Sequence, residues 1–400
     1  MALELAKRLL SVSPSATMKV TAKAAELRAQ GVDVVSFAAG EPDFDTPASI
    51  KEAAKRALDA GATKYTAVEG TPALRRAVAD WFAKAHGFDV TPAEVMVSSG
   101  AKQVIHNAFH AVLNEGDDVI LPAPCWVSYA EIAKLAGARP VPVLARAADG
   151  FQPDVDAIAR AISPATRMIV LSSPSNPTGV IYDEQTVRAI VDLAVRCDLW
   201  ILTDDIYRSL RYGSAHVVQP ASLGPAIRKR TIVVDGVSKS YAMTGWRIGF
   251  AMAEARVIEA MSTLQGQTTT NAAAVSQAAA LAAVEGPTDE LETMRREFDR
   301  RRQYMVRTLR AMPGVTCVEP QGAFYAFPDI AAFLGKRTPS GQVITDDVTL
   351  CHYLIDEGRI ALVPGSAFFA PGFVRLSYAT SQANIEKGLA RMAQALAALE

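Results

Sequence analysis

Residues 236–249 read GVSKSYAMTGWRIG. A lysine, Lys239, sits among small and neutral residues at the end of an apolar run, and Arg247 follows eight positions later. A surface lysine ordinarily has charged company, but the nearest charges along the chain here are Asp235 and Arg247. A desolvated amine among neutral groups loses its proton more readily and becomes nucleophilic. The run before it, Thr231–Asp235, is β-branched and reads as a strand. The lysine therefore stands just past a strand's carboxyl end, where ligands bind in open α/β sheets.

Working outward, similar short runs recur at Val95–Ser99, Val119–Leu121, Met168–Ser172, Trp200–Thr203 and Ile248–Met252. Between them Ala101–Leu113, Val127–Leu135 and Glu184–Val195 read as amphipathic helices. Strands spaced by helices predict an α/β fold, a mostly parallel sheet with both faces covered. After Glu285-Gly286-Pro287 the texture changes. A long charged helix, Glu290–Leu309, leads to short strands in GAFYAFP, RIALVP and FVRLSYA and a closing helix from Gln382. This predicts a smaller α+β domain, completed by the N-terminal stretch up to about Pro47. The expected division is an arm at 1–15, the N-terminal part of the small domain at 16–47, a large domain at 48–288 and the small domain proper at 289–400.

The composition fits that organisation. Four hundred residues exceed one ordinary core, and 50% hydrophobic with 21% charged residues suits a soluble globular enzyme. Forty-one basic residues against forty-two acidic ones give no electrostatic case for a nucleic-acid or anionic-membrane partner. Four dispersed cysteines without C-x-x-C argue against a zinc site or a disulfide framework, and the N-terminus has no signal-peptide apolar region. A cytoplasmic protein is expected. The uncharged run Ala260–Val284 is long enough to span a membrane, but Gln265, Gln267, three threonines and Asn271 would be stranded in lipid. It is predicted to be a buried alanine-rich helix entered through a polar loop.

Four strand ends offer distinct chemistry. Ser99-Gly100-Ala101-Lys102 opens a helix, SSPSNPTG brings Asn176, Asp204-Asp205-Ile206-Tyr207 brings an acid and a phenol, and DGVSK brings Lys239. Together they outline a pyridoxal phosphate site. Backbone N–H groups at Gly100–Lys102 and the Arg247 guanidinium suit a phosphate. A buried Asp204 would keep a pyridine nitrogen protonated, Tyr207 could donate to the ring's phenolic oxygen, and Lys239 would form the Schiff base. Singly each has a plainer reading: strand-to-helix turn, turn-forming asparagine, helix-capping aspartate, core-edge tyrosine, solvated lysine. Their succession carries the weight. His106 and His110 lack a third ligand or an H-E-x-x-H acid, so ordinary helix histidines are expected and no metal. Neither dinucleotide nor P-loop fingerprints occur.

AAGEPDFDTP (38–47), TKYTAVEGTPALR (63–75), SPSNPTG (173–179), DDIY (204–207), SKSYAMTGWRIG (238–249) and VRLSYATS (374–381) together resemble the class I pyridoxal-phosphate aminotransferases, nearest the bacterial aspartate aminotransferase branch, subgroup Iγ. The likeness runs from about Pro14 to the last helix. It implies fold type I with a seven-stranded sheet, pyridoxal 5'-phosphate as cofactor, aspartate and 2-oxoglutarate as substrates, and a homodimer. By resemblance, Lys239 holds the cofactor and later carries the proton, while Asp204 and Tyr207 partner the ring nitrogen and oxygen. Trp126 stacks on the ring, and Asn176 touches ring oxygen and substrate. Arg375 clamps the α-carboxylate, with Gly40 lending backbone nearby. Arg247 and Gly100, Ala101 and Lys102 cradle the phosphate, and Tyr65 crosses the dimer interface.

Three departures stand out: Gly236 where the family often has a phosphate-binding serine, Cys125 where tyrosine often precedes the tryptophan, and Ser13 where close relatives carry a lysine. Ser13 weakens a larger dicarboxylate such as prephenate. Lys102 matches the residue thought to take the distal carboxylate in this branch; a first-turn lysine pointing to solvent is its alternative. Aminotransferases for aromatic or other amino acids, and C–S lyases, share the scaffold. A transcription regulator's effector domain would need a DNA-binding domain in front, and the arm before Pro14 is too short for one.

Overall fold

The computed structural model describes residues 6–400, so the first five residues of the expected arm lie outside the described residues. Seven strands make the central sheet: β1 (Val95–Ser98), β2 (Asp118–Ala123), β3 (Arg139–Leu144), β4 (Thr166–Ser172), β5 (Trp200–Asp204), β6 (Thr231–Gly236) and β7 (Gly249–Met252). Their spatial order is β1-β7-β6-β5-β4-β2-β3. All neighbours are parallel except β7, which runs antiparallel to both β1 and β6. That one reversal has a consequence for the site. The start of β7, just after Arg247, lies at the same sheet edge as the carboxyl ends of the other strands.

Central strands are buried on both faces. Met168 and Val170 of β4 pack into one apolar cluster, with helix Ala101–Val112, while Ile169 and Leu171 enter another, with helix Glu184–Arg196. Strand β3 escaped the sequence reading because Pro140 and Pro142 argue against a strand; it is an edge strand, where a missing N–H costs nothing.

The Ala260–Val284 reading needs correction. A helix, Ala255–Thr268, already includes Gln265 and Gln267, and a second helix, Ala274–Glu285, follows a short break. Gln265 is fully buried because its amide donates to the carbonyls of Val68 and Val97 and accepts from Asn107, so its polarity is satisfied inside a helix. Among the described residues no helix is long and apolar enough to cross a membrane.

Beyond the sheet, helix Asp289–Arg310 and the closing helix Gln382–Ala397 pack on short strands. Val374–Ser377 pairs antiparallel with Tyr325–Ala326 and with Val363–Pro364, and Val35–Ser36 pairs parallel with Ile360–Ala361. Phe37, Phe298, Phe324, Leu376 and Leu389 share one core there, and Ile206 and Tyr207 reach into it from the end of β5.

Candidate active site

A cavity of about 480 Å³ opens at the carboxyl edge of the sheet, within the range that holds a small-molecule ligand. Its lining brings together Gly40, Ala101, Lys102, Trp126, Asn176, Asp204, Tyr207, Lys239, Arg247 and Arg375. Of the remaining sequence-chosen residues, Gly100 caps the helix beside it, and Tyr65, 88% exposed, does not line the cavity of its own chain.

Lys239 follows β6 and turns its Nζ to the Gly40 carbonyl, 2.7 Å away. The sequence suggested an isolated lysine; in space it has Glu41, Arg247, Asp204 and Arg375 for charged neighbours. Burial, helped by the two arginines, outweighs Glu41 and Asp204 and draws its pKa down to about 8. Asp204, the last residue of β5, is buried, which pushes its carboxyl pKa up. Against that, Tyr129 donates its hydroxyl to Oδ2 at 2.6 Å and the Ile206 amide donates to Oδ1 at 3.2 Å. Tyr207 shares a 2.8 Å hydroxyl bond with Tyr325. Burial raises the Tyr207 pKa far above the ordinary phenol value, so both hydroxyls keep their protons.

Arg375, in the strand Val374–Ser377, is 1% exposed. Its Nη1 donates to Asn176 Oδ1 and its Nη2 to the Ala38 carbonyl, each at 2.9 Å, with the ring of Tyr325 beneath at 4.5 Å. Its Nε is buried without a partner. An orphaned guanidinium N–H suits an incoming carboxylate.

At the opposite end, helix Ala101–Val112 begins at Gly100, whose φ of 90° favours glycine. A side chain at Gly100 would also collide with the Arg247 guanidinium, and one at Gly249 with the Gly100–Ala101 backbone. The helix start, its free N–H groups and Arg247 thus form one cradle for an anion. Lys102 is exposed yet lays its ammonium 4.9 Å from the Trp126 ring centroid. This is neither a purely solvated lysine nor a bound one.

The departures have local explanations. A Cβ at Gly236 would press to 3.0 Å on Gly249 Cα and the Ile248 carbonyl, so the strand pairing leaves little room for serine. Ser238 lines the cavity instead. Cys125 is buried, and desolvation pushes its thiol up to about 12, which makes it a packing residue and not a nucleophile. Ser13 is exposed, with its backbone N–H on Glu131. Tyr129 and Tyr325 were not singled out in the sequence; CWVSY and GAFYAFP read as helix start and strand. The rings of His106 and His110 lie 4.0 Å apart and tilted by 40°, His110 Nδ1 lying 2.9 Å from the His106 carbonyl.

The donor set suits the cofactor that the motifs imply: an anion cradle at one end, a buried carboxylate at the far side, an aromatic face between them and an amine of lowered pKa. A family model described as aminotransferase class I and II matches residues 32–392. The chain is 46% identical over 390 residues to the aspartate/prephenate aminotransferase of Cereibacter sphaeroides, covering 97% of each. The solved aspartate aminotransferase of Rhizobium meliloti superposes with a TM-score of 0.96 at 42% identity over 100% of both chains. That of Thermus thermophilus with maleate superposes with a TM-score of 0.92 at 41% identity, covering 98% of this chain and 100% of that one.

Proposed function

The chain belongs to the class I and II aminotransferases and is a pyridoxal-phosphate-dependent enzyme, and from that premise we propose that it moves the amino group of L-aspartate to 2-oxoglutarate by a ping-pong mechanism. The observation that carries the substrate reading is the pair of cations flanking Trp126 and Asn176. Arg375 waits with an unpartnered Nε, and Lys102 rests its ammonium beside the Trp126 ring. Two cations suit two carboxylates. The maleate of the Thermus structure, itself a dicarboxylate, supports the same reading.

In this reading Gly100, Ala101, Lys102 (through their backbone) and Arg247 hold the cofactor's phosphate. Asp204 and Tyr207 would partner the ring nitrogen and phenolic oxygen, Trp126 would cover a face, and Lys239 would hold the cofactor through its amine. When bound, the cofactor supplies an electron sink for the pair left at Cα when its proton departs. Arg375 orients the α-carboxylate, braced by Asn176 and the Ala38 carbonyl, so that the Cα–H faces Lys239. Lys239, with a pKa near 8, can take that proton and return it. Tyr129 and the Ile206 amide favour the ionised form of Asp204 against the burial that raises its pKa, and a protonated ring nitrogen would favour it further.

The same reading makes the enzyme a cytoplasmic homodimer of amino-acid metabolism in which each chain lends Tyr65 to its partner; the exposed Tyr65 ring supports this. It divides the chain into a large domain at 48–288 and a small one built from 16–47 and 289–400, as the pairing of Val35–Ser36 with Ile360–Ala361 supports. Because Ser13 brings no cation, aspartate is preferred over prephenate.

A panel of aspartate, glutamate, alanine and phenylalanine as donors to 2-oxoglutarate tests the substrate. Aspartate should give the highest kcat/KM. An aromatic or apolar donor in first place would remove the aspartate reading and leave aminotransferase chemistry standing. Release of ammonia and an oxo acid without any acceptor would instead favour a lyase.

A further inference from the structure

The loop 38–46 supplies two carbonyls to the site, Ala38 to Arg375 and Gly40 to Lys239. On one side it is tied to the 236–249 stretch. Thr244 donates to Glu41 at 2.7 Å, Thr46 donates to the Ala242 carbonyl at 2.7 Å, and Trp246 Nε1 donates to Thr46 at 3.0 Å. On the other side a single charged side chain reaches it from helix Asp289–Arg310. Arg301 Nη1 donates to both oxygens of Asp43, at 2.8 and 3.0 Å, while its Nε donates to Glu297 one turn earlier at 2.8 Å. The guanidinium is buried, 5.2 Å from the centroid of Phe44 and 5.8 Å from that of Phe298, rings that meet edge to face.

A salt bridge between a buried guanidinium and an exposed carboxylate is a poor source of net stability, since desolvation of the arginine and solvent around Asp43 offset the attraction. What it does supply is geometry: a planar fork between apolar rings admits few arrangements. Resting on the aminotransferase reading above, we propose that Arg301 is a positioning residue, which through Asp43 fixes the 38–46 loop and with it the two carbonyls that hold Arg375 and Lys239 in place. It touches neither substrate nor cofactor. The cofactor would itself hold Lys239, so the effect passes mainly through the orientation of Arg375 and governs carboxylate binding more than the proton transfers.

The test uses the cofactor-loaded enzyme and the variant Arg301→Met, which fills the slot between the two phenylalanines without the fork. KM for aspartate and 2-oxoglutarate, and Kd for maleate read by spectral titration, should rise together about tenfold, with kcat far less affected, as misplacement of a binding group by a fraction of an ångström produces. Tm and cofactor content should stay near wild type. Unchanged KM and Kd overturn the inference, and so does a fall in Tm and cofactor content with KM intact, which marks a plain tether. Should Arg301→Met not accumulate, Asp43→Ala at the more exposed end is judged by the same two constants. A wild type without transamination would defeat the functional reading and this inference with it; an active wild type beside indifferent variants defeats the inference alone.

Discussion

Tyr129 donates its hydroxyl to Asp204 at 2.6 Å while its ring meets Trp126 edge to face, with centroids 5.3 Å apart. One side chain thus links the carboxylate proposed for the ring nitrogen with the aromatic proposed for the ring face. Asp204→Asn should lower kcat on the order of a hundredfold or more with cofactor still bound, because a neutral amide cannot hold the nitrogen's proton. Tyr129→Phe removes one of two hydrogen bonds to Asp204, worth about 1 kcal/mol, and should cost roughly fivefold to tenfold in kcat. Near-normal turnover in Asp204→Asn would assign the nitrogen another partner.

Lys239→Ala should abolish transamination and the visible absorbance band of the covalently held cofactor. Its side chain makes one hydrogen bond, to Gly40, so the fold should survive, with Tm little changed. A persisting band of the same position without added amine would sink the assignment.

The site was legible in sequence wherever residues follow a strand end. Lys239, Asp204 and Asn176 sit within a few residues of β6, β5 and β4, and the registers Ser172–Asp204 and Asp204–Val234 align those ends. Arg375 came only by resemblance, for its place is fixed by contacts with Ala38 and Asn176, far away along the chain. Tyr325 was missed for the same reason. It meets Tyr207 across 118 positions, and a tyrosine in an apolar strand gives no local sign of a hydroxyl partner. Strand β3 was hidden by its prolines, and the polar half of Ala260–Val284 by glutamines whose partners lie on other elements.

Two further buried acids, Asp205 and Asp235, lie near Asp204 and predict a pH-dependent stability. Asp205 and Asp235 are buried, Asp205 Oδ2 has no partner, and Arg208, stacked on Trp81, donates to Asp235. Burial raises the Asp235 pKa to about 7, with Arg208 and the Gly236 amide opposing and Asp204 adding repulsion. Unfolded, the group ionises near 4. Between about pH 4 and 7 the native state therefore binds the extra proton, and stability from this group falls as pH rises through that window. Asp235→Asn keeps the neutral shape at every pH. The Tm difference, variant minus wild type, should grow in the variant's favour from pH 5 to pH 8 in calorimetric scans. A difference independent of pH would mean that Asp235 stays ionised throughout.

Lys102 is the cation proposed to meet the distal carboxylate. A carboxylate entering the cavity sheds water, and that cost must be offset by a cation. Arg375 is engaged by Asn176 and Ala38 and is the residue proposed for the α-carboxylate, Arg247 donates to the Thr244 carbonyl beside the anion cradle, and Lys239 is the residue proposed for the chemistry. Lys102 holds its ammonium over Trp126, where partial desolvation followed by the Arg247 charge lowers its pKa; an incoming carboxylate would favour the charged form again. Lys102→Ala should raise KM for aspartate and 2-oxoglutarate about tenfold or more, as loss of a charge-assisted bond of roughly 1.5–3 kcal/mol implies. The half-reactions of alanine and phenylalanine, which lack the second carboxylate, should be spared. Equal losses for all four substrates would return Lys102 to the phosphate cradle, and no loss for any would make it a solvated first-turn lysine.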